Sequence, residues 1–210
     1  MPRPTLRTPR LTLRPLSLDH LPHLIDLDSD PEVLRHLLGR ARTEQEACDF
    51  WGPICADAYA DHLGLGWWAG FATAAYADER PDLIAPGDFV GWWDVSPSRY
   101  DAECARPGEP PERAEAGWRL RRAHWRQGLA TEGAAALLTH GFEAAGLQVI
   151  WAETMAVNAG SRGVMRALGM RHVATDVHPW DHPLPGAEQG EVRYEITRSE
   201  WAAKAGRMDP

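Results

Sequence analysis

A strand-like segment running to about Arg121 leads through Trp125-Arg126-Gln127-Gly128-Leu129-Ala130-Thr131-Glu132 into a segment whose apolar residues recur near helical spacing. Leu129, Ala134, Leu137, Leu138 and Phe142 form that apolar stripe, and Gly146 suits its C-terminal end. A strand that turns through glycine into a helix restricts the chain to an architecture mixing strands and helices. It also aims backbone N–H groups at one point beyond the helix start, where glycine allows close approach and the helix dipole favours negative charge. A phosphorylated ligand is the expected guest.

The chain has 210 residues, which suits one domain over 1–210 with long loops better than two. No apolar run approaches the roughly 20 residues needed to span a bilayer, so no membrane partner is expected. Met1-Pro2-Arg3-Pro4-Thr5-Leu6-Arg7 lacks the apolar segment of a signal peptide, and the cytoplasm is the expected location. A formal charge of -8 argues against nucleic acid as a partner, since such binding rests on a basic surface. Within this acidic chain Arg119, Arg121, Arg122 and Arg126 form a basic island beside the glycine turn, read either as phosphate ligands or as a solvated strand edge. Cys48, Cys55 and Cys104 are too few and too irregular for a disulfide framework or a zinc site, and the nine histidines show no helical ligand pair, so no metal is expected. Lys204 is the sole lysine, a bias that with the many alanines suits a high-GC bacterial genome.

Leu11, Leu13 and Leu16 alternate as a first strand, and Ser17 or Asp19 can cap a helix carrying Leu21, Leu24, Ile25 and Leu27. Thr43-Glu44-Gln45-Glu46 has the spacing of a capping box and predicts a second helix to about His62, kinked at Pro53. Gly66 to Tyr76 and Asp88 to Val95 read as an antiparallel strand pair, with a turn around 78–82. Each carries a Gly-Trp-Trp run, so successive rings face opposite sides of the sheet, one towards the core and one towards a pocket or a covering helix. The segment from Ser96 to Arg113 is a long loop rich in Pro, Gly and charge. Further strands are expected from Ala114 to Arg121, over 149–155, and near 171–175 and 191–197, with a helix from Ala159 to Leu168 stopped by Gly169.

This order, the turn from Trp125 to Ala130, and Asn158-Ala159-Gly160-Ser161-Arg162 followed by Leu168-Gly169-Met170 together resemble the GNAT superfamily of acyl-CoA-dependent N-acetyltransferases. Within it the chain looks like the branch of bacterial ribosomal-protein N-terminal acetyltransferases, from about Thr8 to Trp201. The resemblance implies an α/β (α+β) fold: one central mixed, mostly antiparallel sheet of six to seven strands, flanked by about four helices and splayed at the cofactor site. It implies acetyl-CoA as co-substrate. The pyrophosphate is cradled by backbone amides of Arg126, Gln127, Gly128, Leu129, Ala130 and Thr131. The pantetheine arm is met by backbone at Leu120 and Arg122 and by Asn158, and Arg162 reaches a phosphate.

Acetyl transfer from a thioester needs a neutral amine, a stabilised carbonyl oxygen and a thiolate that can be protonated. Glu115 stands where the resemblance places a strand carboxylate facing the amine, and it is the expected base. A backbone N–H near Leu120 would hold the carbonyl oxygen. The tyrosine that many family members place seven residues after the asparagine is Met165 here, which donates no proton. Ser161 is the hydroxyl expected near the sulfur, with helix capping as its other role. His36, Trp92, Trp180 and Asp181 are candidates to line the acceptor pocket.

The leading expectation is an N-acetyltransferase acting on a primary amine, either a protein or peptide N-terminus or a small molecule. Net negative charge favours a cationic acceptor. The alternative is a CoA-binding sensor or interaction module without catalysis, which the missing tyrosine favours. A Walker or Rossmann nucleotide site does not fit, because Gly-Leu-Ala lacks their glycines and lysine. Ten tryptophans suit a homodimer contact as well as a pocket.

Overall fold

Short strands, several of them buried on both faces, assemble into one eight-stranded sheet. The computed structural model describes residues 3–56, 64–97 and 112–205. The strands are β1 (Leu6–Arg7), β2 (Leu11–Pro15), β3 (Gly66–Ala72), β4 (Phe89–Ser96), β5 (Arg113–Leu120), β6 (Val149–Met155), β7 (Arg171–Asp176) and β8 (Glu191–Thr197), in the spatial order β1-β2-β3-β4-β5-β6-β8-β7. Every neighbouring pair is antiparallel except β5 and β6, which run parallel. Six α-helices accompany them among the described residues: α1 (Leu21–Asp28), α2 (Glu44–Ala56), α3 (Ala74–Glu79), α4 (Leu129–Glu143), α5 (Ala159–Leu168) and α6 (Arg198–Ala205).

The two-residue β1 is the strand beyond the expected seven, too short to carry a periodic signal. A second departure lies at 73–79. The expected strand stops at Ala72 because Thr73 caps a helix, its hydroxyl accepting from the Tyr76 N–H at 3.3 Å. The capping box at Thr43 forms as its spacing predicts: Thr43 N–H donates to Glu46 at 2.9 Å and Glu46 N–H to the Thr43 hydroxyl at 3.2 Å. The helix it opens continues through Pro53 to Ala56. The rest of that expected helix, Cys104 and most of the loop between Ser96 and Arg113 lie outside the described residues.

Two apolar layers sandwich the sheet. On one face Trp68 and Trp93 are fully buried with Leu11, Leu13, Leu137, Leu138 and Phe142, beneath α4 and α5. On the other, Trp67 and Trp92 pack against Trp51 of α2, with ring centroids 5.5 and 5.6 Å from it. Each Gly-Trp-Trp run thus sends one ring to each side, and α2 covers the outer pair. Rings of this kind each remove roughly 150–250 Å² from water, so the tryptophans carry much of both cores.

Candidate active site

β5 and β6 part in the middle of the sheet. Their parallel register holds only from Arg113 against Val149 to Glu115 against Trp151. Beyond that, each strand keeps its outer partner and loses the inner one. The Arg121 N–H donates to the Val90 carbonyl at 3.0 Å, and residues two apart on an antiparallel strand point the same way. Arg119, Gly117 and Glu115 therefore bond towards β4, while Trp118 and Leu120 turn their backbone groups into the gap. On the opposite lip the Ala156 N–H donates to Gly190 at 2.8 Å and the Arg198 N–H to Gln148 at 2.9 Å, so even-numbered residues serve β8 and Glu153 and Met155 face the gap. The Leu120 carbonyl accepts from Trp125 Nε1 at 2.8 Å and the Met155 carbonyl from the Asn158 N–H at 2.9 Å. Donors on both lips remain aimed inward, a slot cut for an extended polar chain.

The glycine turn closes one end of this slot. Gly128 is the residue before α4, at φ 79°, a left-handed conformation that a Cβ makes costly. Arg126 shares that conformation at φ 62°. With no side chain at the cap, the first-turn amides of α4 stay directed outward, and the helix dipole adds partial positive charge. Three residues distant in sequence brace the turn. Arg10 donates to the Gln127 carbonyl at 2.9 Å and to Glu132 in the first turn of α4 at 2.7 Å. Tyr76 and Arg80 hold Gln127 Oε1 at 2.9 and 2.8 Å, and Tyr76 also bonds His124 Nδ1 at 3.0 Å. Burial, with Arg121 and Arg80 nearby, keeps the His124 imidazole below its ordinary pKa and thus neutral. The Gln127 side chain is therefore a strut, and only its backbone is available to an anion.

Arg119, Arg121 and Arg122 of the basic island are held in ion pairs. Arg119 and Arg42 both bind Asp28, Arg121 binds Asp26 at 2.8 Å, and Arg122 binds Asp30 at 3.2 Å. The three acids alternate along the chain, Asp26 and Asp28 at the end of α1 and Asp30 just beyond it.

Asn158 caps α5, its Oδ1 accepting from the Ser161 N–H at 3.1 Å and its Nδ2 donating to Thr154 at 3.0 Å. Ser161 is thus the third residue of the helix and not its cap. Arg162 donates to the Ala156 carbonyl at 2.7 Å and is turned back towards the end of β6. Met165 is buried in the core. Glu115 and Gly117 lie on the α1–α2 face of β5, across from Ser96 and Asp94 of β4. Asp94, which the sequence did not single out, is only 7% exposed and accepts from the Ser96 hydroxyl at 2.9 Å.

The four expected acceptor-side residues are not brought together in one pocket. Trp92 is buried on the sheet beneath α2. His36 is half-buried in the α1–α2 connection, where Arg35 Nε donates to it at 3.1 Å. Trp180, 55% exposed, and Asp181 lie in the segment before β8, where Val177, Pro183 and Leu184 share a shallow pocket with Trp180. That segment does meet the α1–α2 connection, because Leu184 packs where a Cβ on Gly39 would stand. Among the described residues no cluster of three or more His, Cys, Asp or Glu could hold a metal, and no helix is long and apolar enough to cross a membrane.

A sheet parted between two parallel strands, with a glycine turn and helix start at the parting, defines a class of acyl-CoA-using transferase. The chain belongs to the acetyltransferase (GNAT) domain family, whose model matches residues 10–171. It is 40% identical over 204 residues to the FsC-acetyl coenzyme A-N(2)-transacetylase of Aspergillus fumigatus, covering 95% of this chain and 78% of that one. It is an N-acetyltransferase. The fold is shared with a GNAT-family acetyltransferase of Bacillus anthracis (TM-score 0.68, 19% identity, 93% of this chain and 99% of that one). A GCN5-related N-acetyltransferase of Brucella melitensis gives a TM-score of 0.70 at 16% identity, covering 97% and 82%. RimL, a ribosomal L7/L12 alpha-N-protein acetyltransferase solved in complex with coenzyme A, gives 0.64 at 15%, covering 92% and 98%.

Proposed function

We propose that this chain transfers the acetyl group of acetyl-CoA to the primary amine of a small molecule, by direct attack of the amine on the thioester. The observation that carries this reading is the loss of β5–β6 pairing immediately after Glu115 and Trp151, which leaves inward-facing amides between the acceptor face and the glycine turn. Amides from Arg126 to Thr131 cradle the pyrophosphate, with Arg10, Tyr76 and Arg80 holding that backbone in place. The pantetheine arm lies along the gap-facing backbone from Leu120 to Arg122 and passes Asn158, whose Oδ1 keeps a second lone pair; Arg162 swings from the β6 end to a phosphate. The Leu120 N–H meets the negative charge that develops on the carbonyl oxygen. Glu115 holds the amine beside the carbonyl carbon and draws its proton, and Ser161 hydrogen-bonds the departing sulfur.

The Aspergillus relative is named for transfer to an N(2) nitrogen, and 40% identity over nearly the whole chain favours an acceptor of that kind over a protein N-terminus. The acceptor enters on the α1–α2 side, between the connection bearing His36 and the segment bearing Trp180 and Asp181, with Trp92 in the wall behind. A thiol-release assay with acetyl-CoA against amino acids, small diamines, aminoglycosides and N-terminal peptides tests this. Amine-dependent thiol release with small amines is expected. Release with peptides alone would reassign the acceptor, and CoA binding without release would mark a module that does not catalyse.

A further inference from the structure

Two aspartates are buried on the α1–α2 face of the sheet, in opposite electrostatic settings. Asp28, with no exposed surface, accepts from Arg42, from Arg119 at 2.7 Å and from Trp51 Nε1 at 2.8 Å. Asp94 has no described cation against it. Its neighbours are the Ser96 hydroxyl at 2.9 Å, the Gly117 N–H, Trp67 opposite it on β3, and Glu115 diagonally across on β5. Arg119, next along β5 on the same face, is committed to Asp28. Gly117 makes the arrangement possible, since a Cβ there would collide with Asp94 Oδ1.

We propose that Asp94 stores the proton that leaves the acceptor amine, sharing it with Glu115 across the β4–β5 seam, so that the site takes its substrate as an ammonium ion. This rests on the acetyl-transfer reading above and assigns the proton path of that same site. A buried carboxylate without a counter-charge is costly, so such a group carries a proton or awaits a cation. Burial first, and the Glu115 charge second, push the Asp94 carboxyl up to about 8, while the Ser96 and Gly117 hydrogen bonds oppose the rise. An arriving ammonium supplies the missing positive charge. One N–H bond of the ammonium breaks with its electron pair left on nitrogen, and the proton passes to Glu115 and on to Asp94, with the half-buried Ser96 as bridge. Nitrogen then bonds the thioester carbonyl carbon, the carbon–sulfur bond breaks with its pair going to sulfur, and the second nitrogen proton ends on that sulfur. The proton stored on the carboxyl pair returns to water. Asp94 acts through Glu115 and is a positioning residue, which makes the pH profile the decisive readout.

The test is kcat/KM against pH for the wild type, Asp94→Asn, Glu115→Gln and Ser96→Ala, using the most active amine of the panel, with CoA affinity by calorimetry alongside. The wild type should rise through a limb near pH 8. Glu115→Gln should lower the rate and move that limb down by roughly one unit, since the like charge is gone. Asp94→Asn should lose the limb and roughly 10²-fold in rate with CoA affinity kept. The acceptor's own titration is common to all variants, so a shift belongs to the carboxyl pair. A wild-type limb in Asp94→Asn, or an unmoved limb in Glu115→Gln, overturns the proposal. If Asp94→Asn does not fold, the Glu115→Gln shift decides, together with infrared titration of the resting wild type, where a protonated carboxyl band must fade near pH 8. An enzyme silent with every amine would sink the transfer reading instead, and the infrared band, which needs no turnover, would still judge the pair.

Discussion

Asp94 and Ser161 are single residues whose roles turn on what they do not touch. Among the described residues Asp94 has no cation against it, and that has a thermodynamic sign. Its folded pKa is raised, so between the ordinary aspartate value and about 8 the folded state binds more protons than the unfolded one, and stability falls as pH rises through that window. Asp94→Asn keeps the shape without the ionisation. It should therefore leave stability near pH 4 unchanged and raise it at pH 8 by about 1–3 kcal/mol, some 2–10 °C in Tm by calorimetry. Ser161 is spared the helix cap by Asn158, which leaves its hydroxyl available for the role at the sulfur proposed above. Ser161→Ala should slow thiol release roughly tenfold or more without lowering Tm; an unchanged rate in stopped-flow would end that role. That Glu115 lies on a strand before the turn was legible in the sequence. Asp94 was not, because a carboxylate's burial depends on what α1, α2 and β5 lay over it.

Among the elements, the turn between β5 and α4 is where local chemistry and distant support combine. Gly128 was expected at the helix start from sequence, and its φ of 79° explains why a glycine is needed. The braces from Arg10, Tyr76 and Arg80 were not foreseeable, since they arrive from just before β2, from α3 and from the residue that ends α3, more than 45 residues away. Gly128→Val adds a branched side chain to a left-handed position among the amides that face the anion. CoA binding by calorimetry should weaken at least ~100-fold while far-UV circular dichroism stays native. Retained affinity would mean that the pyrophosphate lies elsewhere. The strand expected through Tyr76 failed for a related reason: Thr73 offers its hydroxyl to the Tyr76 N–H, and a side-chain cap outcompetes another rung of the ladder.

Across the whole molecule, Asp28 joins four parts of the chain: the end of α1, Arg42 before α2, Trp51 within α2 and Arg119 on β5. This knot clamps the helical layer of the acceptor face onto the sheet beside the parted strands. Removing the carboxylate leaves two guanidinium groups in a site that excludes water. Asp28→Ala should cost about 3–5 kcal/mol in urea unfolding, whereas Arg122→Ala, at an exposed pair, should cost under ~1 kcal/mol.

The sequence by itself determined the alternation of elements, the glycine turn, the opposed tryptophan pairs and the class of reaction. The first three follow from periodicity, capping and backbone conformation, which act over a few residues, and the class of reaction from the resemblance of the motifs to the GNAT superfamily. Only the tertiary structure decided that Arg119, Arg121 and Arg122 are spent on Asp28, Asp26 and Asp30, and that β5 and β6 part after Glu115. It also left Asp94 buried with no cation against it among the described residues. Desolvation and charge pairing are set by neighbours brought from far along the chain, and no local pattern encodes how near they come.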